Sequence, residues 1–224
     1  MNRLNKWVII AILLSVVLLN GCGKKESDDT SGQMVLNLAL KGKLTGFDPM
    51  DMRDYDSMEV ASHIMETLYQ FHFLKRPYEL VPLLAEDMPQ ISEDMMVYTV
   101  KIKKGVYYQD DKCFGDAKTR ELKSEDFVYA LKRIANTKNI SKNWSMFDDK
   151  IVGLDEFREY TKNCKSKEEV DYSREIEGLQ CLDDYTLVIK LKKPWPQIVG
   201  TALADMATSP IAKEAVDYYG KDIV

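Results

Sequence analysis

An unbroken apolar run from Trp7 to Leu19, relieved only by Ser15, opens the chain, and shorter patterned segments follow between polar breaks. From Met34 to Leu40, the residues Met34, Leu36, Leu38 and Leu40 fall on one side of an extended backbone, with Val35, Asn37 and Ala39 on the other. That alternation predicts a strand with one buried face. After a glycine-containing break comes Phe47-Asp48-Pro49, where Pro49 biases Asp48 toward an extended conformation. Met58, Ala61, Ile64, Met65 and Leu68 then recur at spacings of three and four, predicting a helix to about Tyr69 opened by the pair Asp56 and Glu59. Tyr98, Val100 and Ile102 alternate with Thr99, Lys101 and Lys103 up to Gly105. Tyr185, Leu187, Ile189 and Leu191 repeat the pattern up to Pro194-Trp195-Pro196.

Two further helices are marked by their ends. Ser124 is placed to cap one, with Glu125 and Asp126 in its first turn and Lys132 and Arg133 near its end, an order that suits the helix dipole. Ser209-Pro210 is placed to open another that Gly220 stops. Strands mixed with helices predict an α/β or α+β body.

The apolar run is too short to span a bilayer. Thirteen residues at about 1.5 Å each reach roughly 20 Å, against a hydrocarbon core of about 30 Å. With Arg3 and Lys6 ahead of it and small residues behind, residues 1–21 read as a secretory signal. Leu18-Leu19-Asn20-Gly21-Cys22 resembles the lipobox of bacterial lipoproteins, which implies lipid on Cys22 and a mature chain that starts there. Residues 22–33 are polar and small, as a flexible lipid-anchored tether requires. This places the chain at the cell envelope, on its periplasmic or extracellular face.

Composition narrows the partners. Loss of Arg3 and Lys6 with the leader takes the net charge from −5 to −7. No basic cluster with interleaved aromatics accompanies it, so nucleic acid is excluded as a partner. Besides Cys22, three cysteines remain, Cys113, Cys164 and Cys181. An exported compartment permits a bridge such as Cys164–Cys181, and an odd number leaves one thiol over. His63 and Glu66 have a spacing compatible with two metal ligands, but nothing else converges on them in sequence and a solvated helix face explains them, so no metal is assigned. No cofactor is assigned either. There is no nucleophile elbow and no phosphate loop, so the chain does not read as an enzyme.

Four segments carry a family resemblance. They are Leu84-Ala85-Glu86-Asp87 with the stretch from Tyr98 to Tyr108, Leu122 to Arg133, Leu182 to Pro194, and Ile211 to Gly220. Their order and rough spacing resemble the oligopeptide/dipeptide solute-binding proteins (family 5) of bacterial ABC importers. The sequence departs from the family pattern at Met88, where a tryptophan is usual. It departs again at Tyr108-Gln109-Asp110-Asp111, which lacks the usual glycine and implies a longer turn reaching Gly115.

The resemblance implies a periplasmic-binding-protein-like α/β fold (class II, oligopeptide type). Members run to about twice this length or more, so it implies the first lobe only, with an accessory domain. By that resemblance residues 34–52 and 182–224 belong to the lobe's central sheet and residues 53–181 to its accessory domain. It also implies a monomer that captures a peptide or other small solute and delivers it to ABC permease subunits. Phe47, Asp48, Tyr55 and Tyr69 flank the first strand and helix and are the candidate ligand-binding residues. Phe47 and Tyr69 have an alternative as core aromatics, and Asp48 as a turn cap. Two other functions stay open: a lipid-anchored interaction or chaperone-like protein without transport activity, and a lipid-anchored hydrolase.

Overall fold

The computed structural model describes residues 34, 36, 37, 39–52, 54–139 and 141–220. The leader, Cys22 and the tether lie outside the described residues. The chain divides into two units after Ala39, and the account below concerns the second.

The core is built on the two alternating segments read from the sequence. Strand β4 (Val97–Lys101) pairs antiparallel with β6 (Thr186–Lys190), with Tyr98 opposite Ile189 and Val100 opposite Leu187. β3 (Gln90–Ile91) and β5 (Leu179–Asp183) flank them, giving the order β3-β4-β6-β5. One sheet therefore joins residues on either side of position 182. Tyr98, Val100, Ile102, Leu187, Ile189 and Leu191 are all buried, because their period of two turns them to one face. Thr186 and Val188 are buried as well, so β6 is covered on both faces. A second, two-stranded sheet is formed by β1 (Tyr69–Phe71) and β2 (Leu80–Pro82).

Helix α2 (Ser124–Ala135) packs on the sheet and against α3 (Leu154–Asn163). Phe127, Leu131 and Ile134 enter the core, while Lys132 and Arg133 in the last turn are buried too. A helix covered this completely must find partners for its charges. The cap differs from the expected one. The Asp126 carboxylate accepts from the Lys123 N–H at 2.9 Å, and Ser124 is already helical. The Ser124 hydroxyl instead donates to the Asp183 carbonyl at 2.7 Å, fastening the helix start to the end of β5.

Three other expectations are corrected. Helix α1 runs only Tyr55–Ala61 and is capped by Asp54, which accepts from the Ser57 N–H at 2.7 Å, rather than by Asp56 and Glu59. It cannot reach Tyr69, because the carbonyls of Thr67 and Leu68 accept from Leu83, Leu84 and Ala85, and that pairing demands extended backbone. Ile64 is consequently exposed although it continues the helical stripe. The described residues of the 34–40 segment form no strand, and Met34, Leu36 and Leu40 are exposed. Alternation makes a strand only where a neighbour completes the ladder, and no other described residues of that unit supply one. Finally α5 (Lys213–Tyr219) starts after Ala212, not at Pro210, since Ser209 ends a 3-10 turn over Met206–Thr208. Gly220 stops it with φ 55°, as read.

Gly115 also has the role assigned to it. The turn after Tyr108 extends through a short 3-10 segment, Lys112–Ala117, where Gly115 takes φ 59° and Asp111 caps by accepting from the Cys113 N–H. Helix α4 (Ile198–Thr201) is short and lies against β1. The three cysteines beyond the tether are free thiols, Cys164 buried and Cys113 and Cys181 half-buried. Cys164 faces the carbonyls of Tyr160 and Glu169 and not Cys181.

Candidate functional site

The segment carrying Phe47 and Asp48 is held by a buried polar network. Arg133 is 1 % exposed and donates through both terminal nitrogens to Asp48, at 2.9 and 2.6 Å. This bidentate geometry fixes direction as well as distance. The Asp48 carbonyl accepts from Asp51 and Met52, closing a tight turn after Pro49. One residue on, the Met50 carbonyl accepts from Ser141 Oγ at 3.1 Å and Asn143 Nδ2 at 3.2 Å. Asn139 donates to the Arg133 carbonyl at 2.9 Å, and Asn136 to the Tyr172 hydroxyl at 2.7 Å. Asp48 is thus a structural anion, closer to its turn-cap alternative than to a ligand contact.

Upstream, the Thr45 N–H donates to Ser57 Oγ at 3.0 Å and the Thr45 hydroxyl bonds the Asp54 carboxylate. That hydroxyl, followed by the Ser57 N–H, holds Asp54 at about 2, well below the ordinary carboxylate value.

The other candidates have different surroundings. Tyr69 is fully buried, and its hydroxyl donates to the Asp87 carbonyl at 3.3 Å. Burial, then the Asp87 charge, pushes that hydroxyl above the ordinary tyrosine range. It occupies the core position that was its alternative. Phe47 is half-buried, and Tyr55 is 77 % exposed at the first position of α1. Phe47 and Tyr55 are thus the two candidates whose side chains are neither held by a structural bond nor fully buried in the core. Cys22 lies outside the described residues.

Sequence reading did not single out Arg133. Its signal was weak, because Ala130 one turn back is apolar while Lys132 beside it and Asn136 one turn on are polar, so its burial follows only from the fold.

A cavity of about 170 Å³ lies between α3 and the turn before β5, lined by Gly153, Glu156, Phe157, Arg174, Glu175, Ile176 and Glu177. None of the four candidate residues borders it, and it is smaller than the roughly 300–1,000 Å³ of usual ligand sites. Among the described residues no three His, Cys, Asp or Glu side chains are grouped to hold a metal ion. No helix among the described residues is long and apolar enough to cross a membrane. The arrangement orders a chain segment through Asp48 and Arg133 and leaves Tyr55 exposed beside it.

Residues 79–224 match the family model of bacterial extracellular solute-binding proteins, family 5 (middle region). The chain belongs to this family. It is 27 % identical over 186 residues to the glutathione-binding protein GsiB of Pectobacterium atrosepticum, covering 83 % of this chain and 29 % of that protein. It is also 27 % identical over 187 residues to the oligopeptide-binding protein AmiA of Streptococcus pneumoniae, covering 83 % of this chain and 25 % of the relative. The solved structure of Listeria monocytogenes OppA bound to peptide superposes with a TM-score of 0.65 and 25 % identity, over 85 % of this chain and 33 % of that one. The fold is the mixed α/β type of periplasmic oligopeptide-binding proteins. The chain spans about a third or less of the relatives it matches.

Proposed function

We propose that the chain is part of a substrate-binding lipoprotein of an ABC importer, which captures oligopeptides or a related solute outside the cytoplasmic membrane and passes them to the permease. The supporting observation is the family match over residues 79–224, joined to a superposition on a peptide-bound relative over 85 % of the chain. In this reading the protein is monomeric and Cys22 carries the acyl chains that hold it at the envelope. Two or three chains hold firmly where one does not. Phe47 and Tyr55 face the solute, while Asp48 acts through Arg133 by ordering the segment on which Phe47 sits. Affinity comes mostly from peptide main chain on strand edges, a mode that tolerates varied side chains.

Two experiments test this. Cells grown with an alkyne-labelled fatty acid should yield a labelled protein, and Cys22→Ser should abolish the label. Uptake of radiolabelled tri- to pentapeptides should fall on deletion of the gene and return with the intact gene. Unchanged uptake of every peptide, with loss of a non-peptide solute instead, would transfer the function to that solute.

A further inference from the structure

The hairpin of β1 and β2 has a polarity opposite to that of an ordinary surface loop. Its base is seated on α4, where a Cβ on Gly200 would stand 3.1 Å from Leu80 and 3.4 Å from Phe71. Its tip, residues 72–79, is ordered by its own polar groups. The His72 N–H donates to the Glu79 carbonyl at 2.8 Å, and the Arg76 guanidinium donates to the carbonyls of Phe73 at 3.1 Å and Lys75 at 2.8 Å. Lys75 bonds Glu79 at 2.9 Å, and Arg76 also lies 4.4 Å over the Tyr78 ring. The apolar side chains point outward: Phe73 is 80 % exposed, Leu74 73 % and Tyr78 70 %.

A loop that satisfies the carbonyls of Phe73, Lys75 and Glu79 internally and presents aromatics to solvent has already met part of the cost of leaving water. We propose that this tip is an interfacial membrane contact, docking Phe73, Leu74 and Tyr78 into the headgroup–acyl boundary of a bilayer rich in anionic phospholipid. Charge argues for this occupant. The chain carries a net charge of −5, yet the tip sets Lys75 and Arg76 among its apolar residues against the single acid Glu79, which leaves it net positive. An anionic surface therefore attracts this tip while it repels the body as a whole. Aromatic rings beside long basic side chains suit a headgroup layer. The contact goes beyond the proposed importer function and needs no acyl group. It would set the orientation in which a tethered protein sits on the membrane.

The test uses the whole gene product from residue 23 onward, which has no lipid, so its result is independent of whether Cys22 is acylated. Flotation should carry this protein with vesicles of phosphatidylcholine mixed with phosphatidylglycerol, and much less with phosphatidylcholine alone. Phe73→Asp with Leu74→Asp should lower the bound fraction about tenfold or more, with an unchanged melting temperature because both side chains are exposed. Phe73→Trp supplies a depth probe at the tip, whose emission should shift to the blue on adding vesicles and be quenched by brominated lipid. The proposal fails if the protein does not float, or if the double variant floats like the original. It also fails if the tryptophan emission is already blue-shifted without vesicles and indifferent to them, which would mean that protein covers the tip.

Discussion

Arg133 and Asp48 stand 85 positions apart in sequence, yet the guanidinium of one grips the carboxylate of the other through two hydrogen bonds in a nearly dry setting. Asp48→Ala would leave the buried cation without its partner, at a cost of about 3–5 kcal/mol. Adding Arg133→Met should recover much of that loss, since the charge then goes as well. Urea unfolding of both single variants and the double variant measures the coupling. Energies that simply add would mean that the pair does not act as a unit.

A second arginine gives the fold an acid-sensitive clasp. Arg120 bonds Asp126 at 2.9 and 2.6 Å and Glu214 through two contacts of 2.8 Å, tying α5 to the start of α2. The Arg120 hydrogen bond holds Glu214 below its ordinary value of 4.5. A depressed carboxylate contributes stability that is fully present above its unfolded value and is lost as pH falls through its folded one. Unfolding midpoints should therefore drop more steeply below about pH 4.5 for the original protein than for Glu214→Gln. Parallel acid profiles would remove Glu214 from the account.

Two glycines are expected to respond differently to alanine. A Cβ on Gly178 would meet the Val152 carbonyl oxygen at 2.4 Å and its nitrogen at 2.7 Å, so backbone must move and the loss should be about 1–3 kcal/mol or more. Gly105 has φ +74° but open space around it, so its alanine should cost only the left-handed strain of about 1–2 kcal/mol. Denaturant titration should rank Gly178→Ala as the less stable variant. The reverse order would contradict the packing described at Val152.

The free thiols should be slow to react. Burial first, and the neighbouring Asp111 second, push Cys113 to about 11, so almost none of it is thiolate near neutral pH. Burial raises Cys181 above its usual value too. Alkylation by iodoacetamide, followed by mass spectrometry, should label Cys113 far more slowly than a free cysteine at pH 7.5 and accelerate toward pH 11. Rapid labelling at neutral pH would show an activated thiol instead.

The sheet was legible in the sequence because β4 and β6 each bury one complete alternating set, and the register of such pairs follows from that face. Helix α2 was legible from its charge order, although its true cap, Asp126 reaching back to Lys123, was hidden behind the more conspicuous Ser124. The overlong first helix shows where local pattern fails. Ile64 and Leu68 keep the helical spacing, but the carbonyls of Thr67 and Leu68 are committed to the backbone of residues 83–85, partners far beyond the i, i+3, i+4 neighbours from which a helix is read. The partner of Asp48 was hidden for the same reason. Asp48 was chosen for its position beside a strand, and only the fold brings Arg133 to it. The family, by contrast, was readable, because four short blocks kept their order and spacing.

The central claim is solute capture, and calorimetry tests it most directly. The complete mature gene product should be titrated with a panel of di- to decapeptides, alongside glutathione and non-peptide solutes. Saturable binding of peptides at micromolar or tighter affinity is expected, weakened by Asp48→Ala, which loosens the segment carrying Phe47. Heat signals from non-peptide solutes alone would move the claim from peptides to that solute, and saturable binding of none of the panel would contradict it.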